Sequence, residues 1–226
     1  MPLIEVRNVS KSYFNDGVET PVLYDISFDI AQGEFTAIMG PSGSGKSTLL
    51  HILGMLDRET AGAYRFGGKT ADDYNTDEIA SVRNKKMGFV FQAFNLLART
   101  SVLENVELPL LYSDVPEREW RGRAMSAVES VGLAHRAHYD ASRLSGGEKQ
   151  RAAIARALIM APEVIFADEP TGNLDSKSGG TVMEILQKLN QENGHTIILI
   201  THETYTAGHA KRIIHIRDGM VESDKK

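Results

Sequence analysis

The sequence predicts an α/β fold with a largely parallel β-sheet, and three features of the chain predict it. Short apolar runs have the length and composition of fully buried strands; they span residues 35–39, 87–91, 164–167 and 196–200. Apolar residues at helical spacing follow the first run, and a long helical pattern separates the second run from the third. Polar residues come directly after the strands, at the edge where parallel sheets bind ligands.

The composition is that of a globular chain with an adequate core. The chain has 226 residues, of which 42% are hydrophobic and 24% are charged. It has no cysteine, which excludes disulfides and thiolate metal sites and suits a reducing cytosol. The N-terminus lacks the pattern of a signal peptide, and no apolar run approaches the roughly 18 residues of a membrane span. A net charge of −5 argues against bulk nucleic-acid binding, so we expect no nucleic-acid partner.

The N-terminal part is predicted to form an antiparallel sheet. Its segments alternate apolar and polar residues, and the turn signal Asn15-Asp16-Gly17 separates the first two. Asn75 and Glu78 have the spacing of a capping box, which predicts a helix start. The predicted elements are strands over 3–14, 22–30 and 62–68, and a helix that ends near Lys85.

Residues 93–161 are predicted to be helical. Ser101 is placed to cap one helix, Pro116 suits the first turn of the next, and Gly132 ends that helix. The remaining predicted elements are helices over 146–160 and 176–192 and a last strand over 212–216. The chain is therefore expected to be a single domain with a helical insertion.

A glycine-rich loop lies between the strand 35–39 and the helix that follows. The loop reads Gly40-Pro41-Ser42-Gly43-Ser44-Gly45-Lys46-Ser47-Thr48, which fits G-x-x-x-x-G-K-[ST] in the strand–loop–helix setting that this pattern requires. Glycines let the backbone N–H groups surround a phosphate, and the helix dipole adds positive potential. We expect Lys46 to bridge the β- and γ-phosphates of a nucleoside triphosphate and the Ser47 hydroxyl to hold Mg²⁺. The alternative is a Gly/Ser-rich turn without a ligand, which the setting disfavours.

Polar residues that follow other strands are candidates for the chemistry. Asp168 and Glu169 close the strand 164–167. We expect Asp168 to join the Mg²⁺ shell and Glu169 to orient or deprotonate the attacking water; the alternative is that the pair only ends a strand. Gln92 and His202 each follow a buried strand, so both are expected to reach the same γ-phosphate. Taken singly, each is an ordinary polar residue at a strand end.

The stretch Leu144-Ser145-Gly146-Gly147-Glu148-Lys149-Gln150-Arg151 predicts a helix N-terminus with Ser145 as its cap. The two glycines leave backbone N–H groups accessible to a ligand. This indicates a second anion site, although the glycine-rich loop already supplies the one that a nucleotide requires.

This stretch is similar to the signature motif of ATP-binding-cassette (ABC) ATPases, and the rest of the chain resembles that family in the same order. The matching positions are Tyr13 (the aromatic that stacks on adenine), residues 40–48 (Walker A), Gln92 (Q-loop), residues 164–169 (Walker B with the catalytic glutamate), residues 173–175 including Asp175 (D-loop) and His202 (switch histidine).

The resemblance implies a P-loop NTPase (RecA-like) core, an N-terminal antiparallel β-subdomain and a helical subdomain inserted at about 93–161. It implies that two copies dimerise head to tail, each ATP lying between one P-loop and the partner's Ser145, Gly146 and Gly147. Mg²⁺ would be held by Ser47, Gln92 and Asp168. The implied reaction is ATP hydrolysis to ADP and phosphate, which drives integral-membrane permease subunits. The implied location is cytoplasmic, at the inner face of the membrane.

A narrower resemblance concerns three stretches, residues 94–97, 101–109 and 170–175. They resemble the lipoprotein-release and macrolide/peptide-exporter branch (LolD- and MacB-type), and the cell-division cassette FtsE is similar there. Soluble ABC ATPases that act on DNA or ribosomes usually carry coiled-coil insertions or two cassettes, and neither occurs in this sequence. A small-molecule kinase would leave Ser145-Gly146-Gly147 and the glutamate after Walker B unexplained. Intact Lys46, Glu169 and His202 argue against a regulatory module that binds ATP without hydrolysing it.

The segment that follows Gln92 is the predicted docking site for a membrane partner. Most of its apolar residues are expected to pack inside the helical insertion. Leu96 and Leu97 lie between a strand and a helix, where residues tend to be exposed, and exposed leucines suit a groove for a partner helix.

Overall fold

The computed structural model describes residues 1–15 and 17–226, so the predicted turn Asn15-Asp16-Gly17 includes one residue, Asp16, outside the described residues. The strands are β1 (Ile4–Asn15), β2 (Val18–Ile30), β3 (Phe35–Met39), β4 (Ala61–Phe66), β5 (Lys69–Thr70), β6 (Met87–Phe91), β7 (Val164–Asp168), β8 (Thr196–Thr201), β9 (Arg212–Arg217) and β10 (Met220–Lys225). The helices are α1 (Lys46–Leu53), α2 (Thr76–Lys86), α3 (Val102–Glu107), α4 (Glu117–Ser130), α5 (Gly146–Leu158), α6 (Ser176–Gln191) and α7 (Thr204–Ala207). Among the described residues, none of these helices combines the length and apolar character needed to cross a bilayer.

The chain forms two compact units, one of residues 1–79 with 194–226 and the other of residues 80–193. The first unit contains the predicted antiparallel sheet, with strand order β2-β1-β4-β5. β1 pairs with both β2 and β4, Ile4 lying opposite Ile30 on one side and Phe66 on the other. These side chains are buried, because alternation along a strand directs every second residue to the same face.

The first unit also contains two of the parallel strands predicted from the apolar runs, β3 and β8. The strand order is β10-β9-β3-β8, and β3 runs parallel to both β8 and β9. Every residue of β3 and of β8 is buried, which explains why neither strand alternates in polarity. Met39 at the end of β3 pairs with Thr201 at the end of β8. The residues that follow these strands therefore leave the sheet at the same edge.

The predicted strand over 212–216 is present as β9, but the prediction that it is the last strand was wrong. The chain turns at Asp218 and Gly219, both with positive φ (48° and 77°), and continues as β10 antiparallel to β9. β10 has the sequence Met-Val-Glu-Ser-Asp-Lys, so it carries no alternating apolar pattern. The Asp-Gly pair was the available signal, because it is typical of a tight hairpin turn.

The second unit pairs β6 with β7 in parallel, Phe91 lying opposite Asp168. Ser101 caps α3 and Ser145 caps α5, each with the reciprocal bonds of a capping box, as predicted for these two helix starts. α4 begins one residue later than expected: Pro116 is its N-cap residue and not part of the first turn.

A nearly buried arginine ties the edges of the first unit together. The Arg212 side chain is 9% exposed and donates to both carboxylate oxygens of Asp224, to Glu34 and to the carbonyl of Asp29, at 2.6–2.9 Å. The hydrogen bonds from Arg212 lower the pKa of Asp224, against the opposing effect of burial. Burial raises the pKa of Glu34, but hydrogen bonds from Ala31 N and Arg212 outweigh it and leave this pKa lowered as well.

We expect Arg212→Met to lower the free energy of unfolding by about 3 kcal/mol, because it leaves Glu34 and Asp224 partly buried without their cation. Arg217→Met is the matched control, since Arg217 pairs with Glu222 at the surface, and the expected change is below about 0.5 kcal/mol. The measurement is denaturant unfolding of each variant.

The same network has a pH signature. Both carboxyl groups have lowered pKa values in the folded state, so their stabilisation is present above the ordinary carboxyl pKa of about 4 and is lost as the pH falls through the lowered values. Arg212→Met should therefore flatten the acid limb of the stability profile. An unchanged acid limb in Arg212→Met would contradict this assignment.

Candidate functional site

The glycine-rich loop passes from β3 to α1 in a space too tight for side chains at two positions. A Cβ atom at Gly40 would lie 2.1 Å from the carbonyl oxygen of Ile216 on β9. A Cβ atom at Gly45 would lie 2.6 Å from Leu23 Cδ2 on β2, and Gly45 has a φ of +95°. Backbone of this shape is open to glycine alone. The loop is therefore pressed against both sheets of the first unit.

The loop holds several polar groups that can meet a phosphate. Lys46 is 6% exposed, and its Nζ donates to the carbonyl of Pro41 across the loop at 2.8 Å. The Ser44 Oγ is buried and has no hydrogen-bond partner within the described part of the chain. The first backbone bond of α1 is donated by Leu49 N to Gly45 O, so the N–H groups of Ser47 and Thr48 lie in the first turn, at the loop end of the helix. These donors fit the oxygens of a polyphosphate.

His202 lies at the same edge of the first unit as the loop. It directly follows Thr201, the residue that pairs with Met39 immediately before Gly40. The parallel register thus makes Gly40 and His202 the first residues beyond two neighbouring strands, as the sequence predicted. The His202 side chain is exposed.

Tyr13 is half-buried on β1 in the same unit. Its hydroxyl donates to Asp57 Oδ2 at 3.0 Å, and Asp57 lies shortly after α1. The segment that follows the phosphate-loop helix therefore holds the ring that the sequence assigned to the nucleobase.

The second unit brings Gln92 together with Asp168 and Glu169. Phe91 pairs with Asp168, so Gln92 and Glu169 follow paired strand ends. Glu169 has a positive φ of 46°, an uncommon conformation that recurs at functional sites. Its carbonyl accepts a hydrogen bond from Gly172 N at 3.0 Å.

Gln92 and Asn173 are joined by two hydrogen bonds, and each residue donates one of them. The Gln92 side chain donates to Asn173 Oδ1 at 3.3 Å, and Asn173 Nδ2 donates to the carbonyl of Gln92 at 3.0 Å. A Cβ atom at Gly172 would lie 2.7 Å from Gln92 Nε2, so this amide pair depends on a glycine beside it. Sequence reasoning singled out residues 173–175 by resemblance alone and did not find this pairing.

The stretch from Ser145 to Gly147 has a packing role within the second unit. Ser145 Oγ accepts from Glu148 N, so the hydroxyl is used as a helix cap. A Cβ atom at Gly147 would lie 2.8 Å from the side chain of Ser178 on α6, and one at Gly146 would lie 3.3 Å from Leu174. Packing alone thus accounts for glycine at position 147. Gly147 is therefore weaker support for an anion site than the sequence alone suggested.

Two further contacts fix the neighbouring elements. Asp175 caps α6 by accepting from Lys177 N, Ser178 N and Ser178 Oγ, and the hydrogen bonds from Ser178 lower its pKa. Gln150 is fully buried on α5 and donates to the carbonyl of Pro170 at 2.8 Å. This bond ties the helix capped by Ser145 to the residue that follows Glu169.

The predicted site residues fall into two groups. The first unit holds Tyr13, residues 40–48 and His202; the second holds Gln92, Ser145, Gly146, Gly147, Asp168, Glu169 and Asp175. Within the described ranges, no group of three or more histidine and carboxylate side chains is placed to bind a metal.

A family model described as "ABC transporter" matches residues 23–172. The macrolide export ATP-binding/permease protein MacB of Azoarcus sp. is 51% identical over 223 residues, which cover 99% of this chain and 34% of that protein. The chain thus spans about a third of the length of its MacB relatives. The uncharacterised ABC transporter ATP-binding protein YknY of Bacillus subtilis is 50% identical, with 97% of this chain and 95% of YknY covered.

Solved structures give the same result. The dimeric post-hydrolysis state of the ATP-binding cassette MJ0796 bound to ADP and Pi has a TM-score of 0.89 and 42% identity, covering 99% of this chain and 98% of the other. The match to the family model, the relatives at about half identity and the shared fold agree, and the chain belongs to the ABC transporter ATP-binding family.

Proposed function

We propose that this chain is the ATP-hydrolysing subunit that powers a MacB-type exporter through separately encoded membrane subunits. The observation that carries the proposal is the phosphate loop, in which Lys46 Nζ donates across the loop to the carbonyl of Pro41, the Ser44 Oγ is buried, and two positions admit only glycine. The likeness to MacB, which is named a macrolide export protein, supports export as the function. The resemblance of residues 94–97, 101–109 and 170–175 adds peptides and lipoproteins as candidate substrates for export or extraction.

The proposed chemistry assigns one role to each residue. Lys46 and the N–H groups of the loop bind the β- and γ-phosphates, and His202 contacts the γ-phosphate. Glu169 accepts a proton from the attacking water molecule while the water oxygen forms a bond to the γ-phosphorus. The bond from that phosphorus to the oxygen that becomes part of ADP breaks. When bound, Mg²⁺ would neutralise part of the phosphate charge. Its proposed protein ligands are Ser47, Gln92 and Asp168.

The proposed assembly is a homodimer in which the partner's Ser145, Gly146 and Gly147 complete each ATP site. The dimeric MJ0796 cassette supports it. In this assembly residues 1–226 act as one cassette with a helical subdomain at about 93–161. It lies at the inner face of the membrane through its permease subunits.

The phosphate loop provides the first test of this proposal. We expect Gly40→Ala to weaken MgATP binding by roughly 10- to 100-fold, because its Cβ would overlap Ile216 O and force the loop to move. Gly180→Ala is the matched control, since a Cβ atom there meets nothing within 4 Å on α6, and we expect normal binding. Calorimetric titration with MgATP measures both. Normal binding by Gly40→Ala would rule out this loop as the phosphate site.

The second test concerns turnover and assembly. Glu169→Gln should keep MgATP binding and lose hydrolysis by about 10²-fold or more, the range for a positioned acid–base group. With hydrolysis blocked, MgATP should shift this variant from monomer to dimer in light scattering. Adding Ser145→Arg should prevent that shift, because it places a long cation at the proposed interface. Steady-state hydrolysis near the normal rate by Glu169→Gln would refute the role of this residue.

A buried asparagine shapes the proposed docking segment. Asn105 is fully buried, accepts from Leu97 N at 2.7 Å and donates to Thr100 Oγ1 and to the carbonyls of Leu97 and Ser101. Its bonds hold Leu97 with 51% of the residue exposed, whereas Leu96 is half-buried. Leu97 is therefore the better candidate to meet a membrane partner.

We expect Leu97→Asp to leave the cassette folded and able to bind MgATP, since the side chain already faces water. The same change should abolish co-purification with the membrane subunits. Met220→Asp, at a residue of similar exposure (53%) on β10, is the matched control and should co-purify normally. Normal co-purification of Leu97→Asp would place the docking surface elsewhere, and unfolding of this variant would show that Leu97 is a packing residue.

A further inference from the structure

We propose that Lys11 and Asp57 are positioning residues for the nucleobase, because they hold the Tyr13 ring in one orientation and leave only one of its faces for stacking. The inference rests on the proposed function only in that the phosphate loop must hold a nucleotide.

The three side chains form a closed set of contacts. Lys11 Nζ lies 4.8 Å from the centroid of the Tyr13 ring and donates to Asp57 Oδ1 at 2.7 Å and to the carbonyl of Arg58 at 2.6 Å. The other Asp57 oxygen accepts from the Tyr13 hydroxyl at 3.0 Å. One carboxylate therefore fixes both the cation above the ring and the end of the ring.

The burial of Lys11 makes its contacts with Asp57 and Arg58 necessary. Lys11 is 8% exposed, and a buried ammonium requires charged or polar partners, which Asp57 and the Arg58 carbonyl supply. Burial acts to raise the pKa of Asp57, but hydrogen bonds from Lys11, Arg58 N and Tyr13 outweigh it and leave the pKa lowered. The carboxylate is therefore ionised at neutral pH and available to both partners.

The register of the antiparallel sheet places this set beside the phosphate loop. Lys11 on β1 pairs with Leu23 on β2, and cross-strand partners project from the same face of a sheet. Leu23 Cδ2 lies only 2.6 Å from where a Cβ atom of Gly45 would stand. Lys11, and Tyr13 in contact with it, thus project from the face that packs on the loop.

These contacts determine how a base can meet the ring. The ammonium of Lys11 covers one face of Tyr13, so a base stacks on the opposite face. The hydrogen bond to Asp57 removes rotational freedom of the ring before the nucleotide arrives. Without these contacts, binding must order the side chain itself, which weakens association. The effect falls on the base and not on the phosphates.

The experiment compares two probes, MgATP and magnesium tripolyphosphate, by calorimetric titration of the full chain. Lys11→Met and Asp57→Asn should each weaken MgATP binding by about fivefold, the size of one partly buried cation–π contact. Neither should change the affinity for tripolyphosphate, which has no base. Lys11→Arg keeps the cation and should restore much of the loss.

Two variants guard against a general structural effect. Lys69→Met removes a similar lysine–tyrosine contact, to Tyr74 at 5.2 Å, and should change neither affinity. Tyr13→Phe keeps the ring and the Lys11–Asp57 ion pair but loses the hydroxyl, so it should weaken MgATP binding less than Lys11→Met while sparing tripolyphosphate. It also supplies the test if Lys11→Met does not fold.

The outcomes separate this inference from the proposed function. Equal losses of MgATP and tripolyphosphate affinity in Lys11→Met and Asp57→Asn would show a loop distortion and overturn the inference, as would unchanged MgATP affinity. Failure of the unmodified chain to bind either probe would instead refute the phosphate-loop assignment.

Discussion

The parallel pairing of β3 with both β8 and β9 is the constraint on which the nucleotide-binding part of the molecule depends. Met39 pairs with Thr201 on one side and His215 on the other, so β3 ends between two neighbours of fixed register. The chain must then turn beside the carbonyl of Ile216, where no residue larger than glycine fits. Sheet register thus dictates both the position of the loop and the presence of Gly40.

In the second unit two parallel strands also end side by side, but different contacts hold the loops that follow them. Its strands β6 and β7 also end in register, but the loops beyond them are held by side-chain amides. Asn173 is bonded to Gln92 in both directions, and the buried Gln150 is bonded to the carbonyl of Pro170. A displacement of Gln92 in this unit therefore breaks two hydrogen bonds to Asn173. Gln92 and Asn173, which belong to separate sequence motifs, are therefore joined by hydrogen bonds within one chain.

Local signals in the sequence predicted much of the fold. Apolar runs located β3, β6, β7 and β8, and the serine caps located the starts of α3 and α5. β10 was missed because its stability comes from pairing with β9 and from the bonds between Arg212 and Asp224, and not from an apolar pattern.

The parts of the candidate site that sequence reasoning missed depend on distant partners. Lys11 and Asp57 are 46 residues apart, so no local pattern joins them. The only available signal was that Lys11 precedes Tyr13 by two positions on a strand, which places both on one face. Gly147 is required by Ser178, a residue of another helix. Motif spacing indicates that a glycine is needed at this position. Only the packing shows which neighbouring side chain excludes a larger residue there.

The difference between buried and exposed ion pairs explains why the support of Tyr13 is suited to a cellular environment. Salt screens charges at the surface, so pairs such as Arg58–Asp72 and Lys85–Asp114 contribute little to stability. Lys11 is shielded from solvent, and its bond to Asp57 is correspondingly less sensitive to ionic strength. The ring is thus held by an interaction that persists under the conditions in which nucleotide would bind.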